Sequence, residues 1–283
     1  MKSSSQFNLK KTKSIAIKLY TILTSVLVMG IIFLLFVFIF FNGGKNLSLD
    51  FIISSPKGMP IGSSGGIFPA LIGSLYFGAI AISSSSILAI SMAIYICYYC
   101  TNGNLKTFLR TVIGIIAGIP SIVLGIFGYS FFVVRLKYGI SLLSGGLVLG
   151  IMIFPYIEVK LEKIFLEVDK KLISASYALG VTKSYTVFKI ILPITVREVI
   201  STLCLGFSLA IGASAPILIT GAVMNSKTPK NILSPAMALP VHLYYLIGEG
   251  ISTENAYATA FVMIVLLLIL NSLPFILCRK NAK

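Results

Sequence analysis

Six stretches of this chain stay apolar for about 20 residues or more, the length an α-helix needs to cross a bilayer core. They run roughly Leu19–Phe41, Pro69–Tyr99, Phe108–Val134, Tyr138–Ile157, Val199–Val223 and Ala256–Cys278. Charged residues make up only 11% of the 283 residues, against 57% hydrophobic ones. A soluble domain carries more than twice that share of charge. An all-α, polytopic membrane protein with six transmembrane helices is therefore expected. The second and third runs exceed the bilayer thickness, so they must tilt or project beyond the hydrocarbon.

The formal net charge of +15 would suggest nucleic acid in a soluble chain. Here the basic residues fall between apolar runs and no recognition module is visible, so no nucleic-acid partner is expected. Membrane orientation accounts for them instead. One alternating set of segments holds seventeen Lys and Arg: five before the first run, Lys106 and Arg110, seven from Lys160 to Arg197, then Arg279, Lys280 and Lys283. The other set holds six: Lys45, Lys57, Arg135, Lys137, Lys227 and Lys230. The excess puts both termini and the 158–197 segment in the cytoplasm. The basic N-terminus resembles a signal sequence, but its apolar run is too long and Asn42-Gly43-Gly44 makes a poor cleavage site. It reads as a retained first span.

The expected layout is a basic tail over 1–18, a first helix over 19–41, an outer loop over 42–68, a five-helix domain over 69–278 and a short tail over 279–283. The outer segments Asn42–Phe68 and Met224–Asn255 could receive an external partner. The only histidine, His242, falls in the second and reads as a solvated loop residue. Cys97 and Cys100 form a lone C-x-x-C at the end of an apolar run, better read as incidental than as a metal site. No catalytic set and no metal centre is expected.

One island of charge, Glu158 to Pro193, interrupts the hydrocarbon. Leu161, Ile164, Phe165, Val168 and Leu172 recur at helical spacing, with Lys160, Glu162, Lys163, Glu167 and Lys170 on other faces. Glu167 and Lys171 stand four apart in the favourable order. Gly180 should end this amphipathic helix. Thr182 should cap a second one, with Val181, Tyr185, Phe188 and Leu192 as its apolar face and Pro193 as its end. An interfacial helix lying on lipid fits the pattern, and so does a docking element.

The spacing resembles the cytoplasmic loop of permeases of ATP-binding-cassette importers, E-A-A-x3-G-x9-I-x-L-P. In this chain Ser174-Ala175-Ser176 is followed by three residues, Gly180, nine residues, and Ile190-Ile191-Leu192-Pro193. Ser174 replaces the leading Glu and Ser176 the second Ala. Further stretches resemble the phosphate-specific, PstA-like permeases. They are Gly65-Gly66-Ile67-Phe68-Pro69-Ala70, Gly118 to Gly128, Ala178 to Lys183, Ala210-Ile211-Gly212 with Ala215-Pro216, and Met237 to Tyr244.

The resemblance implies the type I ABC importer permease fold in a bacterial plasma membrane. It implies an ATPase subunit, a second, PstC-like permease, and an external phosphate-binding protein as partners. It assigns ATPase coupling to Ser174, Ala175, Ser176, Gly180, Ile190, Leu192 and Pro193. No G-x-x-x-x-G-K-[ST] motif occurs. The chain is thus expected to hold no cofactor and to be no enzyme, with ATP and magnesium on the partner.

The family's fifth span reads R-x-x-G-E-T-A-P; here Leu209 and Ala213 replace its Arg and Glu, and Tyr98 replaces a Glu at the end of the second span. No ionisable side chain remains deep in any marked run. An anion must then be met by polar contacts, and two helix breaks could supply them: Pro120 with Ser121, and Gly212, Ser214 and Pro216. Close helix packing explains the same small residues. Fixed positive charge is expected from the second permease. Another oxyanion or solute, or an ATPase-independent secondary transporter, remains as the alternative function.

Overall fold

The computed structural model describes residues 2–224 and 227–278. The 279–283 tail, with Arg279, Lys280 and Lys283, lies outside the described residues, as do Asn225 and Ser226 of the last outer segment.

Helix α1 spans Lys2–Gly44, and α2 spans Phe68–Ile94 and continues as a wide π turn over Tyr95–Tyr99. Then come α3 (Gly103–Gly118), α4 (Ser121–Gly128) with its own π turn Tyr129–Arg135, and α5 (Leu142–Glu167). The remainder comprises α6 (Lys170–Ala178), α7 (Lys183–Gly212), α8 (Ala215–Thr220), α9 (Leu239–Gly248) and α10 (Thr253–Cys278). Among the described residues, five helices are long and apolar enough to cross a membrane, and a sixth span is reached when α3 and α4 count as one.

That third span is not straight. Its two arms meet at 96°. Pro120 has no N–H to donate and forces its predecessor out of the α region. Ile119 is accordingly extended, at φ −72° and ψ 127°.

The fifth span is displaced from Val199–Val223. Ala213 is extended at φ −83°, ψ 129°, so α7 stops at Gly212 and the short α8 follows. At its other end α7 begins at Lys183, and Pro193 does not end a helix. The π turns over Thr186–Ile191 leave room for the ring, and Pro193 falls in the first turn of the regular helix beyond, where a missing N–H costs little.

The amphipathic helix is likewise divided. Val168 is extended. The Asp169 carboxylate starts α6 by accepting the Lys171 N–H at 2.8 Å, a side-chain cap on the first free donors of the helix. With that break, Glu167 pairs with Lys163 at 4.0 Å rather than with Lys171.

The core is the seam between α2 and α5. Phe77, Ala81, Ala89 and Ala93 interlock with Leu149, Ile153, Ile157 and Leu161. Small residues bring the two backbones together: a Cβ at Gly145 would lie 2.6 Å from the Phe77 ring. α7 joins this seam at Gly206, where a Cβ would meet Ile157 at 2.7 Å. α1 stands against α10 at one end, through Phe38–Tyr257 and Phe40–Phe261 edge contacts, and most of its apolar surface is exposed.

Candidate coupling loop and translocation pathway

The loop closes on Gly180, whose φ is +73°. That conformation is open to glycine and strained for other residues. The Gly180 N–H bonds to the Tyr177 carbonyl at 3.0 Å, and the Val181 N–H to the Ser176 carbonyl at 3.2 Å. Together they complete the C-terminus of α6. Thr182 caps α7 as expected, accepting the Tyr185 N–H at 3.4 Å. Across the turn, the Ser176 and Thr186 hydroxyls lie 3.0 Å apart and are both buried. The serine in place of the second Ala is therefore a staple between α6 and α7.

The side chains divide differently from the expected apolar face. Thr186, Val187 and Ile191 are buried, while Tyr185 and Phe188 are exposed with Leu172, Tyr177 and Leu179. The face carrying Tyr185 and Phe188 points away from the bundle, while Thr186, Val187 and Ile191 of the π turns pack into it. Leu179, at the tip, is 83% exposed. Ser174, Ala175 and Pro193 are exposed or partly so, and Ile190 and Leu192 are half-buried. The outcome is a polar-braced turn presenting an apolar outer surface.

The π turn ending α2 grips this loop at both ends. The Tyr98 hydroxyl donates to the Phe165 carbonyl at 2.8 Å, just before the Val168 break. Tyr99 shares a hydrogen bond with Ser184 at 3.1 Å. The Lys183 ammonium sits 5.8 Å from the Tyr99 ring centre, within reach of a cation–π attraction. Nearby, the Arg110 guanidinium on α3 donates from Nε and Nη2 to Glu162 Oε1 on α5, the Nε bond at 2.9 Å. Glu158, a turn before Glu162, is fully buried with neither carboxylate oxygen paired among the described residues. These acids belong to an interior cluster. Glu162, expected on a face away from the apolar stripe, is buried instead, and Glu158 lies just beyond the marked run Tyr138–Ile157.

The two breaks expected along the pathway lie on packed neighbours. Pro216, in the first turn of α8, is buried against α4, and a Cβ at Gly125 would sit 3.1 Å from its Cα. Pro120 is exposed and Ser121 half-buried at the start of α4. Ser214 precedes α8 without making a side-chain cap. A cavity of about 450 Å³ opens between α5, α7 and α10, lined by Tyr156, Ser208, Leu209, Gly212, Ala213 and Asn271 among others. Of the five pathway residues, Gly212 alone lines it. Leu209 and Ala213, at the places of the two missing charges, line it with no charged side chain beside them.

A family model described as "binding-protein-dependent transport system inner membrane component" matches residues 85–281. The chain belongs to that family.

Among its relatives, a Bacillus subtilis protein named "probable ABC transporter permease protein YqgI" is 28% identical over 88% of this chain and 89% of its own length. A Mycobacterium bovis "phosphate transport system permease protein PstA 2" is 31% identical over 74% of this chain and 70% of its own. A "probable phosphate transport system permease protein PstA" of Methanocaldococcus jannaschii is 29% identical over 73% of each. The fold matches a chain of the MetNI methionine ABC transporter in an inward-facing conformation, with TM-score 0.64 over 77% of this chain and 98% of that one, at 16% identity. An amino acid ABC transporter matches at TM-score 0.56, 17% identity, and 75% and 92% coverage. The protein is thus a PstA-like ABC-importer permease with an all-α, multi-pass fold.

The permease also holds a group that sequence reasoning misplaces. His242 is no solvated loop residue: it lies on α9, 2% exposed. Its Nδ1 is 3.3 Å from the Thr259 hydroxyl and its Nε2 is unpaired among the described residues. Burial pushes its pKa down to about 4. The same segment anchors to α2, where Ser74 Oγ accepts the Leu239 N–H at 2.8 Å. The Met237–Tyr244 stretch marks this segment in the sequence. Its burial leaves no signal there, because a short helix among loops reads as a loop.

Proposed function

We propose that this permease forms half of the pore of an ATP-driven importer of inorganic phosphate. A separate ATPase drives it through the 174–193 loop, with ATP and magnesium bound by that subunit. A PstC-like chain completes the pore, and an external binding protein delivers the anion. Both termini and the loop face the cytoplasm, in line with the seventeen-to-six bias of basic residues. One observation carries the coupling role: the turn at Gly180 holds Leu179, Tyr185 and Phe188 outward on a hydrogen-bonded base, a shape suited to a partner's groove. The phosphate assignment rests on the several curated relatives named for phosphate transport.

A second reading follows from Leu209 and Ala213. A pathway without the family's two charges also suits another oxyanion or a neutral solute, and the Bacillus subtilis relative's name specifies no substrate. Reconstitution with the ATPase, second permease and binding protein separates the two. ATP-dependent uptake of labelled phosphate is the expected result. ATP hydrolysis stimulated by the binding protein, with no phosphate accumulated, contradicts it.

A further inference from the structure

Two cations on α3 and two acids on α5 stand in ladders that are one rung out of step. The Tyr98 hydroxyl meets the Phe165 carbonyl, Arg110 meets Glu162, and a Cβ at Gly128 would meet Val148. The chain through α3 therefore runs antiparallel to α5. Glu158 and Glu162 are four residues apart on α5, and Lys106 and Arg110 are four apart on α3, so each pair shares a helix face. In the observed register only Arg110 and Glu162 pair. Glu158, one turn further along the direction in which α3 runs, is 1% exposed with both oxygens unpaired among the described residues. Lys106, one turn behind Arg110, forms no ion pair among the described residues. A buried carboxylate without a cation is costly, and the Arg110 charge already reaches Glu158 electrostatically.

One slide removes the mismatch. Moving α3 by four residues of rise, about 6 Å, brings Arg110 opposite Glu158 and Lys106 opposite Glu162. One ion pair becomes two. α3 is also the helix least tied to the core after α1: Ile113 is its one buried side chain. An added Cβ at its Gly103, Gly114 or Gly118 meets nothing within 4 Å, whereas one at Gly145 of α5 would lie 2.6 Å from the Phe77 ring. Both ends of α3 are extended links, Asn102 at ψ 113° and Ile119 at ψ 127°, the second at the 96° bend. Interdigitated helices pass one another in discrete steps, because the packed positions between seats are blocked.

We propose that α3 has two seats along α5, one helical turn apart, and that ATP binding by the partner subunit moves it from the observed seat to one holding Arg110–Glu158 and Lys106–Glu162. The proposal rests on the ATP-driven importer reading and adds a moving part to it. The observed seat keeps one cation and one acid unpaired, so the second seat has a ready-made electrostatic pull. α3 leads through the Pro120 bend into α4, whose Gly125 packs on Pro216 of α8. A slide that starts beside the coupling loop is thus passed to the helix break that follows α7.

The test compares structures of the complete complex, nucleotide-free and trapped with ATP on a hydrolysis-deficient ATPase. In the trapped complex α3 should stand about 6 Å further along α5, with Arg110 on Glu158 and Lys106 on Glu162. Arg110 on Glu162 in both states overturns the proposal. Glu158→Gln and Lys106→Gln give the functional readout, since each leaves the observed Arg110–Glu162 pair in place. Uptake by the complex in proteoliposomes should fall about tenfold or more in each. The nucleotide-free permease should melt like wild type with Lys106→Gln, and at or above wild type with Glu158→Gln. Wild-type uptake in either variant overturns the second seat; for Glu158→Gln it marks a carboxyl that carries its own proton. Uptake lost together with melting temperature marks a merely structural role and also overturns it. A wild-type complex that takes up no solute with ATP overturns the importer reading as well, whereas a working importer whose α3 keeps its seat overturns this proposal alone.

Discussion

The cytoplasmic loop and the mid-span cavity differ in what holds them. The loop is over-determined: a glycine in the left-handed region, a Thr182 cap, a buried Ser176–Thr186 hydroxyl pair and a Tyr99–Ser184 bond fix its turn, while the Asp169 cap, Tyr98 and the Arg110–Glu162 pair fix the segment leading into it. The cavity between α5, α7 and α10 is under-determined: an unpaired serine, a helix break, and apolar Leu209 and Ala213 in its wall. On the proposed function, the difference follows from what each end does. A part that receives force must keep its shape, because a compliant contact dissipates the push. A part that passes a solute must bind and then release.

The largest expected effect strikes the rigid end. Gly180 sits at φ +73°. Gly180→Pro puts there a residue whose ring fixes φ at roughly −65°. Uptake should fall by about two orders of magnitude or more, on the scale of roughly 3 kcal/mol. Membrane insertion, read by fractionation, should be intact. Gly180→Ala meets no neighbour, since no atom lies within 4 Å of an added Cβ. Only the backbone cost of about 1–2 kcal/mol applies. Its partial phenotype would show that conformation rather than packing sets the turn.

Next is His242, neutral when buried. Its folded pKa of about 4 lies below the ordinary 6.5. The unfolded chain therefore binds more protons between those values. Stability should be fully present above pH 6.5 and fall as pH drops toward 4, by up to about 3 kcal/mol. Melting of the purified permease across that range should show the slope, and His242→Gln should flatten it.

Arg110→Ala leaves Glu162 without its cation beside an already unpaired Glu158. The arginine is half exposed, so the loss is discounted to about 2 kcal/mol of stability. Adding Glu162→Gln should return part of it in a double-mutant cycle. Smallest is Ser176→Ala, which removes the bond to Thr186, at about 1 kcal/mol. A melting shift larger than that of Arg110→Ala would invert the ordering of the loop's supports.

Helix content and span number were legible in hydropathy, since each run is long and its charges sit at its ends. Gly180 and Thr182 were legible because their roles are local: one supplies a conformation, the other a hydroxyl at a fixed offset. Where wide turns replaced regular ones, periodicity failed. The π stretch over Thr186–Ile191 buries Thr186, Val187 and Ile191 and lets the helix run past Pro193. The bend at Pro120 was visible as a break, but its 96° angle depends on what α4 packs against. Tyr156, Ser208 and Asn271 lie on three helices far apart in sequence, so only the assembled bundle makes them neighbours.

The central claim is that the outer surface of the 174–193 loop is where the ATPase docks. Leu179→Asp and Phe188→Asp place charge on exposed side chains outside the packed core, so the permease itself should insert and melt like wild type. The decisive measurement is the amount of ATPase subunit that co-purifies with each tagged permease. The account predicts at least a tenfold loss of the subunit, about 1.4 kcal/mol or more of binding. Undiminished co-purification, together with wild-type uptake, would contradict it.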